Sequence, residues 1–309
     1  MKRLAIAISV AIALAFAGSV PRSWAQQQDF SKVQIATTDL GNHAYELVGQ
    51  GGNMTVVVGG DGIIMVDTEF APLHDKIKAA IAAISPLPVK YIVNTHYHGD
   101  HTGGDAAFIK EGVTVIAQEN VKQRLLTGTD NGVNGAKVAP VGPEAVPTKT
   151  YRNGTVTLRV KGLTATVGHI ANAHTDGDSY VWFRSANVLA TGDIVALGRY
   201  PSIDTGNGGN IKGIIAGVGF YIMMINDKTK VVPGHGPLTD KAGLIAYRRF
   251  LVEARDRVAK LVKAGKSKEE AMAAHVFADW DAKYNATEQQ SANFTRIVYE
   301  SLKPPAKMM

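Results

Sequence analysis

Apolar residues recur along this chain with two spacings, one suited to strands and one to helices. Strand-like segments occupy 43–48, 53–58 and 63–66, the last ending at Asp67. Gly59-Gly60-Asp61-Gly62 reads as the hairpin turn between the second and third. Apolar positions 73, 77, 81 and 84 mark a helix over about 70–84, stopped by Pro86 and Pro88. A strand at 89–94 runs into a polar cluster at 95–101, followed by a helix near 104–110, a strand at 113–117 and a helix near 118–126. Residues 127–149, rich in Gly, Asn, Pro and Thr, predict a long loop that covers a site or is mobile. A second β-rich half spans 154–160, 163–168, 179–184 and 187–191, with a short strand at 230–232. Helices are expected at 210–226 and 240–264, and further helices to about residue 302. Two β-rich halves with helices outside predict an α/β fold, an αββα sandwich of two mixed β-sheets flanked by helices. No short-period repeat or linker interrupts 26–309, which reads as a single domain with a helical C-terminal segment.

The first residues have a different character. Lys2 and Arg3 precede an apolar run from Leu4 to Gly18 broken only by Ser9, and Ser23-Trp24-Ala25 offers small residues at the two positions a signal peptidase reads. That pattern predicts a secretory signal at 1–25, removed after Ala25, and hence a secreted or periplasmic protein. The run is shorter than the roughly 20 residues a membrane span needs. Residues 214–225 are the most apolar stretch beyond it, but Gly217, Gly219 and the nearby Asn226 point to a buried helix.

Composition then narrows the chemistry. With 45% apolar and 19% charged residues the chain can bury a sizeable core. It has no Cys, which excludes disulfides, cysteine zinc ligands, a thiolate nucleophile and iron–sulfur clusters. The formal net charge of +6 includes Lys2, Arg3 and Arg22 and no acid from the leader, so the mature excess is +3. No basic block or aromatic-interleaved basic stripe is present, and no nucleic-acid partner is expected. The expected partner is a small-molecule substrate; the sequence leaves oligomeric state open.

The chemistry concentrates in His96-Tyr97-His98-Gly99-Asp100-His101. Three imidazoles and a carboxylate within six residues, directly after a strand, are improbable by chance among 9 His in 309 residues. Clustered His and carboxylate suit divalent metals. His96 and His98 can point the same way from an extended segment, while Asp100 and His101, on the next turn, face a different point. That suits two ions better than one.

This segment resembles the signature of the metallo-β-lactamase fold superfamily, and further motifs follow in order. They are Val66-Asp67-Thr68, Ala173-His174-Thr175-Asp176-Gly177-Asp178, Ala190-Thr191-Gly192-Asp193 and Val232-Pro233-Gly234-His235-Gly236. The resemblance implies that His96, His98 and His174 hold one metal, that Asp100, His101 and His235 hold a second, and that Asp193 bridges both. Asp100 is also assigned as the catalytic carboxylate. Asp67 would orient a ligand imidazole from behind. Two Zn ions per chain are implied, with Mn or Fe also accepted, sharing a hydroxide that attacks a small ester, thioester, lactone or related bond.

Other residues are ambiguous. His174 is preferred over His169 as the third histidine because of its Thr-Asp-Gly-Asp context, and His43, His74 and His275 read as surface or core residues. Asp176 and Asp178 either hydrogen-bond a ligand or form a turn. Arg199 reads either as a partner for a substrate carboxylate or phosphate or as a salt-bridged surface residue. The Asn207–Asn210 segment is expected on the same loop near the metals. The family's best-known β-lactamases carry Cys or Ser where Asp193 stands, which favours other hydrolases, with β-lactam hydrolysis the alternative. A di-iron redox enzyme and a non-catalytic metal-binding protein are the readings from other classes.

Overall fold

A computed structural model describes residues 29–303 except Asn134. The leader expected at 1–25 lies outside the described residues.

The first sheet has the order β1-β2-β3-β4-β5-β6-β9. Its strands are β1 (Ala36–Gly41), β2 (Ala44–Val48), β3 (Met54–Val58), β4 (Ile63–Val66), β5 (Val89–Val93), β6 (Thr114–Gln118) and β9 (Lys149–Tyr151). β1 to β4 pair antiparallel, whereas β4, β5, β6 and β9 run parallel. The second sheet has the order β10 (Thr155–Val160), β11 (Leu163–His169), β12 (Ser179–Phe183), β13 (Val188–Ala190) and β14 (Lys230–Val232). Only β13 and β14 pair parallel there. Parallel neighbours need crossovers, and the helices supply them.

Side-chain alternation in β4 shows how the layers form. Ile64 and Val66 face the second sheet and pack with Val167, Val181, Phe183 and Val188. Ile63 and Met65 face outward onto Leu73, Ile77 and Ile81 of the first helical layer and Phe108. The outer face of the second sheet is covered by α5 (Ile211–Met224), α6 (Lys241–Lys263) and α9 (Glu288–Leu302), through Ile214, Val218, Leu251, Phe294 and Ile297. The αββα sandwich expected from the sequence is therefore the observed fold.

The remaining helices are α1 (His74–Ile84), α2 (Gly99–Thr102), α3 (Asp105–Lys110), α4 (Glu119–Thr127), α7 (Lys268–Ala273) and α8 (Ala278–Tyr284). The helix expected from 70 begins as a 3-10 turn at Ala71–Leu73, where Pro72 supplies the first-turn residue that needs no N–H partner. The expected strand at 43 starts one residue later, because His43 turns the chain at φ 60°. Residues 127–149 are more ordered than expected. They hold a two-residue ladder of β7 (Thr129–Asp130) on β8 (Lys137–Val138), a 3-10 turn, and the first residue of β9. No described helix is long and apolar enough to cross a membrane, and the 214–225 stretch falls mostly within the half-buried α5.

One edge of the sandwich collects the strand ends that matter. β4 and β5 are parallel and end at Asp67 and at Thr95-His96. β13 and β14 are parallel and lead into Thr191-Gly192-Asp193 and Pro233-Gly234-His235. β12 runs antiparallel to β13, so the segment entering it, Ala173–Asp178, arrives at that edge too. The Ser179 amide donates to the Thr95 carbonyl at 2.7 Å, joining the two sheets there.

Candidate metal centre

After β5 the chain bends over Thr95–Tyr97 rather than staying extended as expected, returns to extended backbone at His98 (φ −62°, ψ 145°) and then turns into α2. His96 and His98 nevertheless reach the same group, while Asp100 and His101 come off the helical turn. The ring atoms of His96, His98 and His174 and a carboxylate oxygen of Asp193 lie within 4.8 Å of one another. Asp100, His101 and His235 form a second such group. Asp193 touches both: Oδ1 is 3.3 Å from His101 Nε2, and Oδ2 is 3.5 Å from His235 Nε2 and 3.7 Å from His174 Nε2. All seven residues named from the sequence converge, and His169 does not. Its Nδ1 donates to the Asp178 carbonyl at 2.8 Å, outside the cluster. His74 and His275 lie by Glu111 and Glu288, and His43 sits in the β1–β2 turn.

The outer nitrogen of each of four histidines is tied to a group that can only accept its proton. His174 Nδ1 donates to the Ser202 carbonyl at 2.9 Å. His98 Nε2 meets Asp204 Oδ2 at 3.0 Å, and His101 Nδ1 meets Asp67 Oδ2 at 2.8 Å. Thr95 Oγ1 spends its own proton on Asp67 Oδ2, so it accepts from His96 Nδ1 at 3.0 Å. These partners set the tautomers. His96 Nε2, His98 Nδ1 and His174 Nε2 are left as inward lone pairs. His96 Nε2 and Asp193 Oδ1 are buried without a hydrogen bond, and His174 Nε2 sits only 3.1 Å from His98 Nδ1. Lone pairs converging this closely repel unless a cation lies among them. The donor set, nitrogen and oxygen without sulfur, fits a divalent ion of the zinc type.

The electrostatics agree. Burial pulls His96 well below the usual imidazole value, with His101, His174 and His98 adding to it, so it stays neutral. Burial likewise lowers His174. On the other side burial opposes a charge on His101, yet Asp100, Asp193 and Asp67 raise it well above the usual value, so the surroundings favour a cation at its inner nitrogen. Asp193 is buried, but His235 and His101 hold its carboxyl well below the carboxylate range. Asp100 has 28% side-chain exposure and His235 15%, whereas His101 and His174 have none, so the centre opens on the side of Asp100 and His235.

Asp67 sits where the sequence expected, behind His101. It also accepts from the Thr95 amide at 2.7 Å, and its φ of 61° places it in the left-handed region. The supporting turn is tight: a Cβ on Gly52 would collide with the His101 ring, and one on Gly234 with Asp193 Oδ1.

Several supporting residues escaped sequence reasoning. Asp204 is fully buried and accepts from His98, from Tyr97 Oη, from the Gly132 amide at 2.7 Å and from Asn207. Burial opposes its charge, but the bonds from His98, Tyr97 and Asn207 hold its carboxyl down at about 2. Asn207, on the loop expected near the metals, lies there but is buried and backs this network rather than opening to solvent. Asp178 takes its turn role, accepting from the Thr175 amide and hydroxyl at 2.8 and 2.6 Å. Asp176 pairs with Arg124 through both carboxylate oxygens. Asp204 carries a local cue, a side chain that caps the turn to Asn207, but nothing near it points to His98. Arg199 is exposed and makes no salt bridge among the described residues. It lines two cavities of about 200 and 240 Å³, one sharing Ser202 and the other Ala196 and Leu197.

Comparison with known proteins gives relatives of several kinds. The chain is 29% identical over 167 residues to a hydroxyacylglutathione hydrolase from Polaromonas sp., a match spanning 53% of this chain and 55% of that protein. It is 26% identical over 243 residues to a beta-lactamase-like protein 2 homolog from Caenorhabditis elegans, covering 76% of this chain and 72% of the other. Among solved structures, a metallo-beta-lactamase from Pontibacter korlensis superposes with a TM-score of 0.59 at 20% identity, over 71% of this chain and 99% of the other. A stereoselective inverting sec-alkylsulfatase from Pseudomonas sp. superposes with a TM-score of 0.64 at 17% identity, over 87% of this chain and 50% of the other. At these identities the structures show the shared fold. The family model for the metallo-beta-lactamase superfamily matches residues 47–272, most of the chain, and with the fold and the ordered His and Asp motifs this places the protein in the metallo-beta-lactamase superfamily.

Proposed function

We propose that the protein is a hydrolase that holds two divalent ions, zinc by default, and cleaves a small ester, thioester or lactone. His96, His98 and His174 would hold one ion, Asp100, His101 and His235 the other, with Asp193 shared. The observation that carries this reading is the position of Asp193, within 3.3–3.7 Å of imidazoles from both groups. Bound there, the ions supply Lewis acidity and lower the pKa of water.

The chain's own residues divide the remaining work. Asp204 and Asp67 fix the rings of His98 and His101 so that their free nitrogens face inward. Asp100, held ionised by His101 and His235 against its burial, sits at the open side and is the carboxylate placed to accept a proton and pass it to a departing group. Arg199, with Tyr200 and Tyr284 beside it, supports a substrate that joins an acidic group to an apolar body. The hydroxyacylglutathione hydrolase among the relatives supports a thioester or ester. The leader read at 1–25 supports action in the periplasm or outside the cell.

The test is turnover by purified protein loaded with zinc, offered a thioester, a lactone, an aryl ester, a short alkyl sulfate and nitrocefin, with metal analysis alongside. We expect hydrolysis of an ester, thioester or lactone that falls to the metal-free level in Asp193→Ala and His98→Ala. Turnover of nitrocefin alone would move the substrate class to β-lactams. Iron with a visible absorption band would overturn the zinc reading, and no turnover across the panel would favour a non-catalytic metal-binding role.

A further inference from the structure

Behind the candidate metal centre lies a further buried carboxylate, Asp105, with surroundings unlike those of Asp67. Asp67 receives three donors, shared over both oxygens: the Thr95 amide, the Thr95 hydroxyl and His101 Nδ1. Asp105 is fully buried and receives two, the Thr68 hydroxyl at 2.8 Å and Asn94 Nδ2 at 3.0 Å, and both land on Oδ1. Its Oδ2 has no partner, and neither has Asn94 Oδ1, also buried. Two bare acceptor oxygens in one bonded acid–amide pair are costly as they stand. A proton on Asp105 Oδ2 removes one bare acceptor and its charge, and makes that oxygen a donor in a pair whose other bare oxygen, Asn94 Oδ1, can only accept.

We propose that Asp105 is a protonated acid in the native protein, paired with the Asn94 amide, and that through Thr68 it positions the Asp67–His101 unit without adding a second negative charge beneath it. Thr68 is the link: its hydroxyl reaches Asp105, its amide donates to the His101 carbonyl at 2.8 Å, and it lies between Asp67 and Glu69, whose φ angles are 61° and 55°. Such a turn persists only where its surroundings hold it. Burial raises the Asp105 carboxyl to about 8, against the bonds from Asn94 and Thr68, and Asp67 is the charged group that adds to the rise.

The protonation claim goes beyond the hydrolase reading and does not need it; the positioning claim rests on that reading. The first is tested on metal-free protein by infrared difference spectra of wild type against Asp105→Asn. At pH 6 the substitution is expected to remove one protonated carboxylic-acid band, and raising the pH past about 8 is expected to bleach that band in the wild type. Loss of a carboxylate band instead would overturn the proposal. Stability gives an independent reading. A carboxyl held protonated only in the folded state contributes stability that is full below its unfolded value near 4 and declines up to its folded value. The wild-type midpoint relative to Asp105→Asn should therefore fall between pH about 4 and 8 and then level; a flat difference overturns protonation. For positioning, Asp105→Asn should keep zinc affinity within about twofold, while Asp105→Ala or Thr68→Val should weaken it about 10–100-fold in chelator competition. Thr68→Val retains the shape should Asp105→Ala fail to fold. Unchanged affinity in Thr68→Val overturns the positioning claim and leaves the infrared result to stand or fall separately.

Discussion

The inward face of His98 depends on one buried carboxylate 106 positions away. Asp204 holds the outer nitrogen of this ring, and with Tyr97 and Asn207 it forms a network closed to water. Asp204→Ala should lower zinc affinity by about 10–100-fold, measured by chelator competition, while the sandwich stays folded by circular dichroism. Asp204→Asn should be milder if the amide oxygen turns toward His98, because an acceptor then remains. The seven clustered residues were legible in the sequence because their chemistry crowds rare side chains into short stretches after strands. Asp204 and the Ser202 carbonyl were not. Their roles are those of any hydrogen-bond acceptor, and only the folded chain brings them to a ring nitrogen.

At the scale of elements, α4 fastens the segment that carries His174. Arg124 spans Asp176 with two bonds, reaches Asn207, and lies 5.8 Å from the Tyr97 ring centre. Its side chain is 21% exposed, so solvent screens the pair only in part. Arg124→Ala should cost about 1–2 kcal/mol in denaturant unfolding and speed amide exchange across 172–178 and 204–210 ahead of the sheets. The pattern of apolar positions predicted the long elements well, since Ile77 and Ile81 are buried on α1 as the spacing required. It failed where few side chains are buried. In β1 only Leu40 is buried, and the strand exists because its backbone pairs with β2. β7 and β8 are two residues each, too short for any alternation to show.

For the molecule as a whole, the centre draws His96, His98, Asp100 and His101 from the first sheet's edge and His174, Asp193 and His235 from the second's. An ion there would cross-link the two layers, so binding and folding are linked. Zinc at about 100 times its Kd should add roughly 2.7 kcal/mol per site, raising the midpoint of thermal unfolding by several degrees. Chelation should reverse the shift, and Asp193→Ala should abolish most of it. The αββα architecture was legible because β4 and its neighbours are apolar on both faces, as strands between two layers must be. The two cavities beside Arg199 were not, since their walls come from 133, from 196–202 and from helices α6, α8 and α9. Those helices all follow His235 and lend the centre none of its seven side chains. If the proposed substrate binds beside Arg199, reaction and selection are written in different stretches of the chain. The strand ends would then set what bond is broken, and the C-terminal helices would be free to be rewritten for a different molecule while the chemistry stays as it is.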